Sequence, residues 1–242
     1  MDQTIALTTG VSRIEGLGFE TARQLAGKGC HVIITARDGK TAAANARRLV
    51  DQGLSCEGRS LDVMSDASIA AMAGDLSAEF GRLDILINNA SGVFDPSKPT
   101  RKTPVADGEA ALAVNLFGAW RTIQAFEPLL LKSKHPRIVN VSSEASSFGS
   151  ANGMKARGNN LLAYAVSKAA LNAMTIKFAA AFVDTPIIIN NVCPGWVATF
   201  PGTAELGARP VPEGAAGVVW AATLPDDGPR GGFFRDGQPL AW

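Results

Sequence analysis

The feature that most limits what this chain can fold into is an alternation. Short runs of consecutive apolar residues are each followed by a longer stretch of helical periodicity. Residues 5–9 form the first run and end in Gly10. In 18–27, Phe19, Ala22, Leu25 and Ala26 recur at helical spacing, and Gly27 and Gly29 suit the helix end. Residues 31–35 predict a second strand, and Asp38 fits the N-cap of a helix running to about Val50. A third strand is expected within 54–63. Ser65 then caps a helix reaching Phe80 and stopped by Gly81. The run LDILIN at 83–88 is apolar on both faces, which marks a strand of a parallel sheet covered by helices on each side.

Beyond residue 100 the alternation repeats. A helix over 107–131, perturbed near Pro128, precedes a strand at 137–142. A helix over 161–182, a strand at 187–192 and a helix over 213–222 behind Pro212 at its first position come next. Residues 232–234 open a last strand. The pattern predicts an α/β fold: a doubly wound parallel sheet of about seven strands, helices on both faces, and residues 1–242 as a single domain. Ligands in such sheets bind outside the carboxyl ends of the strands. Residues 10–18, 36–38, 62–63, 89–95, 142–160 and 193–210 are therefore expected to border one cleft.

Composition removes several function classes. With 46% hydrophobic and 19% charged residues the chain is globular, and 23 basic against 22 acidic residues leave no handle for nucleic acid or an anionic membrane. Cys30, Cys56 and Cys193 are odd in number and lack a CxxC, and His31 and His135 have no ligand-like spacing. Buried thiols in a reducing compartment and no metal site are expected. The N-terminus runs Met1-Asp2-Gln3-Thr4 straight into an apolar strand, and no stretch approaches the ~20 apolar residues of a membrane span. A soluble, cytoplasmic protein with no membrane partner is the expectation.

The first strand-to-helix turn reads Thr9-Gly10-Val11-Ser12-Arg13-Ile14-Glu15-Gly16-Leu17-Gly18. Glycines there permit a tight turn and close approach to a pyrophosphate, which the helix N-terminus would attract; the bland alternative is that they serve only tight packing. Nineteen positions after Gly18 stands Arg37, where an acidic residue would select NAD by its ribose hydroxyls. An arginine suits a 2′-phosphate, Arg13 is a second candidate cation, and Asp38 belongs to the helix cap. Asp62 and Val63, and Asn88, Asn89 and Ala90, are expected on the adenine and ribose side.

Tyr164 and Lys168 stand four apart, hence on one helix face, and Tyr164 is the only tyrosine in the chain. A nearby ammonium stabilises a phenolate, so Tyr164 is expected to titrate below the usual value of about 10. Ser143 ends the fifth strand, where a hydroxyl can polarise a carbonyl. Asn115 sits mid-helix among apolar neighbours, where an asparagine needs partners.

The glycine turn, Asn88-Asn89-Ala90, Asn115, Ser143, the Tyr164/Lys168 pair and Cys193-Pro194-Gly195 occur in this order across essentially the whole chain. Together they resemble the short-chain dehydrogenase/reductase family. The resemblance implies a Rossmann-like fold and a catalytic tetrad of Asn115, Ser143, Tyr164 and Lys168. It also implies nicotinamide contacts from Pro194, Gly195, Val197 and Thr199. The tail with GGFFRDG resembles the NADPH-dependent carbonyl-reductase branch. Implied as a whole is an NADP(H)-dependent oxidoreductase that reduces a ketone or aldehyde, with Tyr164 as proton donor. The alternatives are a dinucleotide-binding sensor or interaction protein with little turnover, and a dehalogenase on the same fold.

Three departures from the family pattern stand out. Five residues, rather than three, separate Gly10 from Gly16, as though Ile14 and Glu15 were inserted. The glycine after Asn88-Asn89-Ala90 comes one place late, at Gly92. Ser143 and Tyr164 are 21 positions apart, with a polar, glycine-rich segment at 150–160 between them. Were that segment to cover the face of the Tyr164 helix, a monomer would be favoured over a homodimer or homotetramer. Phe94, Met154, Leu161, Trp196 and Phe200 are expected to line a mostly apolar substrate pocket.

Overall fold

A computed structural model describes residues 3–92, 94–156 and 160–242. Its centre is one eight-stranded sheet in the order β3-β2-β1-β4-β5-β6-β7-β8, formed by β1 (Ile5–Thr8), β2 (His31–Ala36), β3 (Cys56–Ser60), β4 (Ile85–Asn88), β5 (Arg137–Val141), β6 (Ile188–Val192), β7 (Phe233–Arg235) and β8 (Gln238–Pro239). All pairings are parallel except β7 with β8. The chain winds outward from β1 to β3, then returns to start the other half at β4. The switch point, where the first and second halves diverge, lies between β1 and β4.

Helices cover both faces. On one side α3 (Asp66–Glu79), α5 (Ala119–Leu130) and α6 (Leu162–Ala181) bury Leu76, Phe126 and Leu171 against Leu7, Ile33 and Leu86. On the other, α1 (Leu17–Gly27), α2 (Gly39–Val50) and α7 (Val211–Ala222) bury Leu25, Leu49 and Val218 against Ala6, Ile34 and Ile87. Successive strand residues point to opposite faces, so a strand between two helix layers must be apolar at every position. Asp38 and Ser65 act as caps, accepting from the N–H of Lys40 at 3.0 Å and of Ser68 at 3.2 Å.

Several boundaries differ from those expected. The break in the long helix falls not at Pro128 but at Asn115: α4 (Val105–Leu112) passes into a π-helical turn, Ala113–Gly118, before α5. Pro128 lies in the last turn of α5, where a missing N–H costs a single bond. α7 begins at Val211, so Pro212 is its second residue. β8 was not anticipated. It returns from β7 through Asp236 and Gly237, both with positive φ (51° and 74°), the geometry a two-residue Asp-Gly hairpin requires.

Candidate active site

The carboxyl ends of β1 and β4 are locked together. The Thr9 hydroxyl accepts from the N–H groups of Asn89 (3.1 Å) and Ala90 (3.0 Å), and the Asn89 amide donates to the carbonyls of Thr9 (2.8 Å) and Gly10 (3.2 Å). Gly10 has φ +72°, and a Cβ there would stand 2.5 Å from the Ala90 Cα; at Gly18 it would stand 2.4 Å from the Asn89 amide nitrogen. These two glycines therefore serve close packing. The anion-binding quality comes instead from the eleven-residue helix α1. Its N-cap, Gly16, offers no side chain, so the first-turn N–H groups lack a side-chain cap. That donor set fits a pyrophosphate. Ser12 is exposed beside it, while Leu17 packs into the core beneath the helix.

At the end of β2, Asp38 is fully engaged as a cap. The Thr41 hydroxyl and the Lys40 N–H hold its carboxyl below the usual range. Arg37 is exposed and, among the described residues, has no ion-pair partner. The Asp62 carboxylate accepts from the Met64 N–H (2.9 Å), and the buried Val63 side chain closes on Gly118. Asn88 is withdrawn from the ribose side. Its amide donates to Asn140 (2.8 Å), and its carbonyl accepts from Thr122 (2.7 Å), in a ladder that continues through Thr175 to Asn191. Arg13 is also displaced from its expected place, since it reaches across the cleft to the loop after β6. In that loop Pro194 and Thr199 are half-buried, Gly195 has φ +81°, and Val197 is buried.

The four expected catalytic residues converge at the end of β5. Ser143 follows the strand and accepts from the Ala145 N–H (3.2 Å), and it is in hydrogen-bonding reach of the Tyr164 phenol. Tyr164 and Lys168 occupy the first turns of α6. The Lys168 ammonium donates to the Val141 carbonyl at 2.8 Å and lies 5.6 Å from the centre of the Tyr164 ring. Burial pushes the phenol up to about 12, against the pull of the Ser143 hydrogen bond, and pushes Lys168 down to about 7. The expectation of a depressed tyrosine is thus reversed in the protein alone. Lys168 is itself buried and turned to a strand carbonyl, so desolvation outweighs attraction for both groups.

Asn115 is a brace. Its side-chain carbonyl accepts from the Gly92 N–H (2.9 Å), and its amide donates to the Gly92 carbonyl (3.2 Å) and to the Ser167 hydroxyl (2.9 Å). Ser167 in turn donates to the Tyr164 carbonyl at 2.7 Å. The late glycine of the Asn88-Asn89-Ala90 motif is thereby tied to the tyrosine helix.

Other residues around the site escaped the sequence reading. Arg235, from β7, donates to Glu144 (2.8 Å) and to the Cys193 sulfur (2.9 Å), which also accepts from the N–H groups of Glu144 (3.1 Å) and Gly195 (3.4 Å). Against burial, hydrogen bonds from Ser150 and Arg235 keep the Glu144 carboxyl below its usual value. This network joins the loop carrying Ser143 to the one carrying Pro194. Its sequence traces are the FRDG tail and Cys193-Pro194-Gly195. Phe94 stands edge-on to Tyr164, with ring centres 5.2 Å apart. A small crevice of about 10 Å³ beside Tyr164 is walled by Asp95, Lys98 and Asp107 together with Leu161, Leu162 and Ala163.

The described residues of 150–160 fold back on the preceding loop, 147–149, which is itself tied to the C-terminal residues. Met154 N–H donates to Ser147, Ser147 Oγ to Ala241 and Gly149 N–H to Trp242. Leu162, Val166 and Ile176 stay exposed on α6, so these residues do not supply the coverage that argued for a monomer. Arg157, Gly158 and Asn159 of the same segment lie outside the described residues.

A doubly wound sheet with an uncapped helix N-terminus at its switch point, and Ser143, Tyr164 and Lys168 gathered at one strand end, defines a nucleotide-binding α/β protein. The sequence profile of the short chain dehydrogenase family matches residues 4–206, and the chain belongs to that family. The (+)-neomenthol dehydrogenase of Arabidopsis thaliana is 33% identical over 96% of this chain and 96% of its own. A metagenomic short-chain oxidoreductase solved in complex with NADP is 30% identical, with a TM-score of 0.74 over 93% of this chain and 92% of that one. The NADPH-bound carbonyl reductase from chicken fatty liver is 25% identical, with a TM-score of 0.84 over 99% of each chain.

Proposed function

We propose that this protein is an NADPH-dependent reductase of ketones or aldehydes, acting as one domain over residues 1–242. The observation that carries the reading is the meeting of the Ser143 hydroxyl with the lone, half-buried Tyr164 phenol above Lys168. NADPH, when bound, supplies the hydride from its nicotinamide. The α1 N-terminus, with Ser12 and Gly16 and seated by the close-packed Gly10 and Gly18, would hold its pyrophosphate, and Arg37 its 2′-phosphate. Asp62, Asn89 and Ala90 would border the adenosine, and Pro194, Gly195, Val197 and Thr199 the nicotinamide.

Ser143 holds the substrate carbonyl oxygen by its hydroxyl, and Tyr164 gives its proton to the alkoxide that forms. A donor must be protonated before the reaction, and a phenol raised to about 12 by burial meets that condition at neutral pH. Lys168 would hold the nicotinamide ribose, and in its protonated form stabilises the phenolate left behind. The side chain of Asn115 is already occupied by Gly92 and Ser167, so a relay water is assigned to its main-chain carbonyl in the π-helical turn. A cytoplasmic site of action is part of the same reading; among the described residues no helix is long and apolar enough to cross a membrane.

Consumption of NADPH against a panel of carbonyl compounds tests this. The reading expects turnover with at least one ketone or aldehyde, lost in Tyr164→Phe while NADPH still binds. Tight NADPH binding without turnover on any carbonyl would favour a sensor.

A further inference from the structure

The lengthened glycine turn gives Arg13 a position that the reading above does not use. Ile14 packs against the core beneath α1, the Gly16 N–H donates to the Arg13 carbonyl at 3.2 Å, and Glu15 faces solvent. The added pair therefore closes a compact turn instead of hanging outward. From this turn the Arg13 guanidinium donates to the Thr199 carbonyl at 2.5 Å, and its carbon stands 4.2 Å from the centre of the Phe200 ring.

Thr199 and Phe200 start the outer part of the loop that follows β6. At its base this loop is fastened by the Val197 bridge to Arg209. Among the described residues, the backbone hydrogen bonds made by 200–207 stay within the loop, and Arg13 is the side chain that ties its start to the cofactor turn. β6 is four strand spacings from β2, or about 19 Å. The head of Arg13 is thus engaged by the loop of Thr199 and Phe200, while Arg37, just past the end of β2, has no such contact among the described residues.

We infer that Arg13 is a clasp: a positioning residue that pins the loop of Thr199 and Phe200 to the cofactor turn, across the mouth of the dinucleotide cleft. This inference rests on the NADP(H) reading of the cleft. Two consequences follow from the geometry. Cofactor release requires the Arg13 contacts to Thr199 and Phe200 to open, and selection of the 2′-phosphate falls to Arg37 alone.

The test combines two readouts on wild type, Arg13→Met, Phe200→Leu and the double variant. Stopped-flow nicotinamide fluorescence gives the rate of NADPH release when excess NADP⁺ is added. Hydrogen exchange gives the protection of amides 199–208 in the cofactor-free protein. Arg13→Met should release NADPH about tenfold faster, as expected for loss of a charge-assisted contact, Phe200→Leu about two- to fivefold faster for loss of the cation–π contact, and the double variant no faster than Arg13→Met. Exchange at 199–208 should rise in Arg13→Met, and its ratio of NADPH to NADH affinity should stay at the wild-type value. Unchanged release and exchange in both single variants would overturn the clasp. A loss of NADPH affinity confined to Arg13→Met, with NADH affinity kept, would overturn it by returning Arg13 to the 2′-phosphate. A wild type that binds neither dinucleotide would instead overturn the cofactor reading on which the clasp rests.

Discussion

Replacing Lys168 with methionine should stabilise the cofactor-free protein at neutral pH. Lys168 is 2% exposed, its ammonium donates to the Val141 carbonyl, and burial pushes it down to about 7. In the unfolded chain a lysine titrates near 10.4. Between about pH 7 and 10.5 the unfolded state therefore binds more protons, so stability rises with pH across that window. The cost of burying the charge is fully present below pH 7. At pH 7 the cost is about 4 kcal/mol by linkage. Methionine removes it but leaves the Val141 carbonyl without this partner, at about 1–3 kcal/mol. A net gain of about 1–3 kcal/mol at pH 7 remains; it should fall to zero between about pH 8 and 10 and reverse above, where only the lost Val141 contact is left. Burial also raises Cys30 and Cys56, the latter to about 12, so stability falls where unfolded thiols ionise, above about pH 8.5. Both proteins share that fall, and their difference isolates Lys168. Urea unfolding of both at about pH 6.5, 8 and 9.5 gives the difference directly. A gap independent of pH, or a variant less stable than wild type at neutral pH, would refute the reasoning.

Three further outcomes follow. Arg37→Asp should cut the preference for NADPH over NADH by roughly 10–150-fold in kcat/KM, the worth of one charge-assisted contact; a preference left intact would remove Arg37 from the 2′-phosphate. Absorbance titration of the lone tyrosine should place its midpoint well above 10 in the cofactor-free protein and lower it when NADP⁺ binds, with no lowering in Lys168→Met. Arg235→Met should lower kcat about tenfold with NADPH affinity unchanged, and Arg235→Lys should recover part of the loss. Equal kcat in all three would show that the Glu144–Cys193 network does not position Ser143.

The elements legible in the sequence were those fixed by local chemistry. Asp38 and Ser65 are caps because a short acceptor side chain before a helix has a backbone N–H to meet, and both meet one. LDILIN revealed a doubly covered strand because both of its faces are buried. The Tyr164/Lys168 pair was legible because helical spacing alone puts the two on one face. What stayed hidden depended on partners distant in the chain. The helix break was placed at Pro128 by backbone chemistry, whereas tertiary partners, Gly92 and Ser167, hold the irregular turn at Asn115. Asn88 reads as a strand-end polar group, and only the sheet order reveals Asn140 beside it. Arg13 could not be placed without Thr199, 186 positions away. The upward shift of Tyr164 in the cofactor-free protein was not legible because sequence spacing reports the neighbouring charge but not the burial around it. Asp236-Gly237, by contrast, was a visible hairpin signal that the reading passed over.

The most direct test of carbonyl reduction by this site follows the hydride itself. The protein is given NADPH deuterated at nicotinamide C4 and a panel of ketones and aldehydes, and the alcohols formed are analysed by mass spectrometry. With the label on the transferred face, the account predicts one deuterium on the carbinol carbon. It also predicts alcohol formation at least about 100-fold slower in Tyr164→Phe, the usual worth of a positioned acid. Labelled NADPH that binds yet passes deuterium to none of the panel, or a Tyr164→Phe protein that reduces as fast as wild type, would contradict it.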